Sequence, residues 1–163
     1  MRTKFILFFL FISFCSLAQD GNKNIDQAFK LIDNREDASY FEVTKDMFKM
    51  MSESREIGPE YKEYLSQLHQ LKMIQPGGGN RMQLGEEFYN IFMENANLKD
   101  YTRLMTQRDQ RSKISFYKKD GKDENEFLLI SNSMIIYITG TLDLQNMQQF
   151  EQIIDIAGNA MGM

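Results

Sequence analysis

The chain has 163 residues, a formal net charge of −4, one cysteine and one histidine. Those figures exclude an intrachain disulfide, metal centres built on histidine pairs or cysteine clusters, and a surface basic enough to neutralise a nucleic-acid backbone. The length suits one domain with its own apolar core.

Arg2 and Lys4 precede an apolar run from Phe5 to Ile12, and Ser16-Leu17-Ala18 offers small residues ahead of Gln19. This layout predicts a secretory signal peptide over residues 1–18, cut between Ala18 and Gln19. The stretch from Phe5 to Ala18 is shorter than the about 20 apolar residues a membrane span needs, and Ser13 and Ser16 interrupt it. Phe14 stands directly before Cys15, where lipoprotein processing wants a small residue, so Cys15 is expected to leave with the leader. The mature chain is then cysteine-free, has no stable membrane anchor, and moves from a charge of −4 to −6 because Arg2 and Lys4 leave with no acid.

Residues 19–24 are polar and predict a flexible lead-in. Ile25, Ala28, Phe29 and Ile32 recur at helical spacing, and polar turn formers at 34–39 end that helix. Tyr40–Val43 reads as a brief extended piece. Met47, Phe48, Met50 and Met51 form the apolar stripe of a second helix. Gly58-Pro59 opens a third, with Pro59 in its first turn and Tyr61, Tyr64, Leu65 and Leu68 on one side. Leu71–Gln75 reads as extended and Pro76 stops it. After Gly77-Gly78-Gly79, an amphipathic helix carries Leu84, Phe88, Ile91, Phe92 and Ala96.

From Tyr101 the pattern changes to short runs of aromatic and β-branched residues: 101–106, 113–118, 126–131 and 134–140. Turn residues make the short connections between them, which join antiparallel neighbours. Asp143 is a suitable N-cap for a last helix bearing Leu144, Met147, Phe150, Ile154 and Ala157. The expected fold is α+β: an antiparallel meander of four or five strands, helices packed mainly on one face, and a closing C-terminal helix. It forms a single domain over residues 25–158, with 159–163 a frayed tail.

None of the chemistry-bearing residues falls into a catalytic pattern. Gly77–Gly79 lacks the Lys-Ser/Thr that closes a phosphate loop and reads as a loop tip. His69 has no serine in a strained turn to activate and reads as a boundary residue between two elements. Asp120, Asp123, Glu124 and Glu126 lack the alternating ligand spacing of a calcium loop, and Lys118, Lys119 and Lys122 oppose a cation there. No residue set calls for a cofactor.

Two surfaces remain as candidates. Arg103, Arg108, Arg111, Lys113 and Lys118, interleaved with aromatic residues, suit a face that receives an acidic partner; the alternative is a strand pair kept soluble by its cations. Met47, Met50 and Met51 suit an adaptable apolar groove; the alternative is core filling.

Phe41–Met50, Glu126–Ile130 and Tyr137–Leu144, in that order, resemble the domain of unknown function numbered 4252, a family of small exported proteins found mainly in Bacteroidota. The resemblance covers nearly all of the mature chain and implies a Gram-negative envelope location. It implies no activity, ligand or active residue. The expected function is therefore a non-enzymatic interaction or accessory protein of the periplasm with an envelope protein as partner. A carrier of small apolar ligands, motivated by the many phenylalanines, is the alternative. A hydrolase using Glu86, Glu87 or Asp143 ranks last.

Overall fold

Phe127-Leu128-Leu129-Ile130 and Ile135-Ile136-Tyr137-Ile138 place apolar side chains at every position, which in an extended chain sends them to both faces of a sheet. A computed structural model describes residues 20–55, 57–110, 112–144 and 150–155 and shows both faces covered. The elements are α1 (Asp20–Asp33), β1 (Ala38–Thr44), α2 (Lys45–Glu53), α3 (Pro59–Gln67), β2 (Leu68–Pro76), α4 (Arg81–Asn95), β3 (Thr102–Arg108), β4 (Lys113–Lys119), β5 (Asn125–Ser131) and β6 (Ile135–Gly140). A further helix covers 150–155. The signal-peptide cut at Ala18 and Gln19, Arg111 and the 159–163 tail lie outside the described residues.

The strands form one six-stranded sheet in the order β1-β2-β6-β5-β4-β3, antiparallel throughout. The expected meander is β3 to β6. Leu71–Gln75 does extend it as part of β2, and the brief piece at Tyr40–Val43 grows into a sixth strand by pairing with β2 from Ala38↔Pro76 to Thr44↔Gln70.

The expectation of helices mainly on one face is corrected. α1 and α4 cover one face, packing Ile25, Phe29, Ile32, Phe88 and Phe92 on Leu128, Ile130, Ile135 and Tyr137. On the other face α2, α3 and the 150–155 helix pack Phe48, Met51, Leu65, Phe150 and Ile153 on Phe116, Phe127, Leu129, Ile136 and Ile138. The physical reason lies in β5 and β6: each has apolar residues of both parities, so one helix layer would leave half of them in water. Each fully buried Phe is worth about 1.5–3 kcal/mol of removed apolar surface, which decides for two layers. Ring contacts knit both layers, Phe29 on Phe92 at 5.3 Å and Phe116 on Phe150 at 5.0 Å, each edge to face.

Three local expectations also change. The lead-in at 20–24 belongs to α1, because the buried stripe from Ile25 to Ile32 nucleates a helix that extends backwards through polar residues at little cost. Tyr61 and Tyr64 stay exposed while Leu65 is buried, because α3 turns a narrow stripe to the sheet, and Leu68 is buried as the first residue of β2 and not as part of α3. His69 lies within β2, at a register irregularity between Leu68 and Gln70, and not between elements. Among the described residues, no helix is long and apolar enough to cross a membrane.

Candidate functional site

Strand β3 is one edge of the sheet, and six of its seven residues are exposed, with Met105 half-buried. Residues on both its faces are exposed, and among the described residues no strand pairs with its outer edge. Its sequence, Thr-Arg-Leu-Met-Thr-Gln-Arg, holds two cations and no acid.

Both ends of β3 are fixed. At the far end, Asp109 N–H donates to Ser112 O at 2.9 Å and Ser112 N–H to Asp109 Oδ1 at 2.8 Å, closing the turn into β4. At the near end stands Tyr101, directly before the strand. Its hydroxyl donates to Glu126 Oε2, which also accepts from Tyr137 at 2.8 Å, while Lys119 Nζ donates to Glu126 Oε1 at 2.8 Å. Glu126 is buried, and its three donors come from the α4–β3 connection, β6 and β4. Burial and the adjacent Glu126 carboxylate hold the Tyr101 and Tyr137 phenols well above their ordinary value of 10.0, so both stay protonated donors. Lys119 also lies over the Tyr101 ring at 5.5 Å. This network satisfies a buried carboxylate and fastens the start of the edge strand.

The predicted basic face divides. Arg103 pairs with Tyr117 and Arg108 with Lys113, on the side of α1 and α4. Lys118 pairs with Phe127 and so points to the opposite side, because neighbouring residues of a strand alternate. Lys113 is ion-paired with Glu86, and Lys118 with Asp120 at 2.8 Å and Asp143 at 2.6 Å, contacts that raise its pKa. Arg103 and Arg108 keep free cationic heads: neither has an ion pair among the described residues. The single face thus reduces to two arginines near opposite ends of β3.

The Met47, Met50 and Met51 groove does not form as one feature. Met51 is 8% exposed and joins the core under α2, whereas Met47 and Met50 are 48% and 67% exposed. A helix turn of 100° per residue separates Met50 from Met51 across the core boundary.

The carboxylates proposed for hydrolysis are separately occupied. Glu86 holds Lys113, Glu87 holds Arg35 Nη1 at 2.7 Å, and Asp143 holds Lys118. Arg35 also makes two bonds to Asp37, at 2.8 and 2.9 Å, which hold the Asp37 carboxyl below its usual range. The N-cap role expected of Asp143 falls on residues 145–149, outside the described residues, and Asp143 is an ion-pair partner of Lys118. Gly77 N–H donates to Asp37 O at 2.7 Å, and Gly78 adopts a φ of 76°, as a loop tip joining β2 to α4 requires. Of the residues weighed for calcium, Asp120 pairs with Lys118, Glu124 Oε2 lies 2.8 Å from His69 Nδ1, and Glu126 is in the tyrosine network. Among the described residues, no three His, Cys, Asp or Glu side chains converge on one point.

The tyrosine–glutamate network escaped the sequence. Its signal was a glutamate opening the run Glu126–Ser131, a polar residue where both faces are buried, but nothing local names Tyr101 or Tyr137 as its partners.

The fold and this edge define a small α+β domain with two apolar cores around a single antiparallel sheet. The chain belongs to the family described as Domain of unknown function (DUF4252), whose match spans residues 29–150. No curated protein and no solved structure matches it.

Proposed function

We propose that this chain is an exported, non-enzymatic interaction protein of the Gram-negative envelope that receives an extended acidic segment of a partner protein on strand β3. The exposed edge of β3, bearing Arg103 and Arg108 without acidic partners, carries this reading. An edge strand offers unpaired N–H and C=O groups to an incoming strand, and main-chain pairing supplies affinity while side chains supply selectivity. The two arginines set that selectivity. In a symmetric antiparallel pairing of β3 with a second copy, centred between Met105 and Thr106, Arg103 would face Arg108, and like charges opposite each other are destabilising. The same arrangement favours a strand carrying Asp or Glu at those positions.

Export rests on the leader features of residues 1–18 and on the family resemblance. The non-enzymatic reading rests on Glu86, Glu87 and Asp143 each being committed to a cation. The carrier alternative finds no comparable support, since Phe48, Phe88, Phe92, Phe116, Phe127 and Phe150 are all fully buried in the two cores.

Fluorescence anisotropy with a labelled β-forming peptide bearing Glu at alternate positions tests the docking, against the same peptide with Lys. The acidic peptide is expected to bind, to weaken with salt, and to lose at least about tenfold in affinity to the Arg103→Glu/Arg108→Glu protein. Equal binding of the acidic and basic peptides would discard the reading. Sequencing the N-terminus of protein recovered from the periplasm tests export, with Gln19 as the expected first residue.

A further inference from the structure

Where the first half of α4 faces the β3–β4 and β5–β6 turns, the surface opens into a cleft of about 630 Å³. At Met82, Ser112 and Asn132 it runs into a second hollow of about 480 Å³. Each has a size usual for a small-ligand site. Among the described residues, the apolar Pro76, Met82 and Met134 line the smaller, whereas Met82 is the one apolar residue lining the larger cleft.

Five side-chain amides line that cleft: Asn80, Gln83, Asn90, Gln110 and Asn132. Asn80 donates to Gln83 at 2.7 Å, and Asn132 Oδ1 accepts from Lys113 N–H at 3.2 Å. Asn90 and Gln110 are exposed and make no side-chain hydrogen bond among the described residues. Of the acids at the cleft, Glu86 is paired with Lys113 and Glu87 with Arg35, and Asp109 Oδ1 accepts from Ser112 N–H. The walls are fixed before any ligand arrives: Asn132 N–H donates to Lys113 O at 3.3 Å, and the Asp109–Ser112 bonds close the facing turn.

We infer that this cleft binds a neutral, polyhydroxylated ligand, a short oligosaccharide. A primary amide offers two donors and an acceptor on one planar group, and a pair of adjacent hydroxyls both donates and accepts, so amides match sugar edges without needing charge. Asn80, Gln83 and Asn132 are already held by hydrogen bonds, which lowers the ordering cost of contacts to them. A peptide would also pair with amides, but peptide recognition draws on pockets for alternate side chains, and this wall supplies none.

The test is a heteronuclear NMR titration with maltotriose, cellotriose and triacetylchitotriose as probes, and tetraglycine as the peptide control. At about 10 mM, at least one trisaccharide is expected to shift the side-chain amide signals of Asn90, Gln110 and Asn132. The Asn90→Ala/Gln110→Ala protein, altered only at exposed positions, should bind that sugar at least about tenfold more weakly. The Arg103→Glu protein, altered at the end of β3 away from the β3–β4 turn, should bind it unchanged, which separates this site from the β3 edge. Absence of shifts with all three sugars, shifts that map elsewhere, undiminished affinity in the double alanine protein, or equal shifts with tetraglycine would each overturn the inference.

Discussion

Gly85, in the middle of α4, lies directly against the main-chain carbonyl of Asn132 in the β5–β6 turn. A Cβ at position 85 would stand 1.7 Å from that oxygen and 2.8 Å from its carbon. Glycine inside a helix costs about 1 kcal/mol relative to alanine, so α4 accepts a weaker helix in exchange for close approach to the turn. Gly85→Ala is therefore expected to destabilise the fold by about 2–4 kcal/mol, because rigid backbone on both sides must move. Gly79→Ala, with nothing within 4 Å of its Cβ, serves as the contrast and should change stability by less than about 1 kcal/mol. Urea midpoints of the two variants decide it.

The Glu126 network makes a second contrast. Glu126→Ala removes the acceptor of Tyr101, Tyr137 and Lys119 together and should cost about 3 kcal/mol or more. Tyr137→Phe deletes one donor and leaves Glu126 with two, so about 1–2 kcal/mol is expected. Chemical denaturation at pH 7 measures both. Equal losses would show that the carboxylate is not the hub.

Alkaline pH should act through the same phenols. Both are held above 10.0 in the folded protein, so the stability they contribute is fully present below pH 10 and is lost as pH rises beyond it, while the unfolded phenols ionise. The limiting slope is about 1.4 kcal/mol per pH unit for each tyrosine. Stability of the Tyr101→Phe/Tyr137→Phe protein should consequently fall less steeply between pH 10 and 11 than that of the wild type.

Met50 and Met51 should differ sharply although they are neighbours. Met51→Ala is expected to cost about 2–4 kcal/mol, and Met50→Ala less than about 0.5 kcal/mol, by thermal or urea unfolding. Arg103→Glu/Arg108→Glu should likewise leave stability within about 1 kcal/mol of wild type, since both residues are exposed. A cooperative unfolding curve close to wild type would make any loss of peptide binding a property of the surface.

Much of this molecule is legible in its sequence where the signal is local. Pro59 marks the first turn of α3, Pro76 ends β2, and the short polar connections after Arg108, Lys119 and Ser131 give the β3–β6 meander. What escapes is set by pairing across long separations. Tyr40–Val43 is too short to announce a strand and becomes one only against β2, some thirty residues on. The two-sided helix cover was latent in Phe127–Ile130 and Ile135–Ile138, but the runs do not say which helices take which face. The basic face failed for the opposite reason: proximity in sequence joined Arg108, Lys113 and Lys118, but strand alternation turns Lys118 to the other side and Glu86 takes up Lys113.

The position of β6 between β2 and β5 has a consequence for how the molecule comes into being. The β1–β2 pair and the β3–β4–β5 sheet touch through the strand made last, residues 135–140, so a chain synthesised only to residue 134 holds two half-sheets with open inner flanks. Neither half can close early and neither core can be sealed ahead of the other. Such a topology postpones closure of the sheet until residues 135–140 are available.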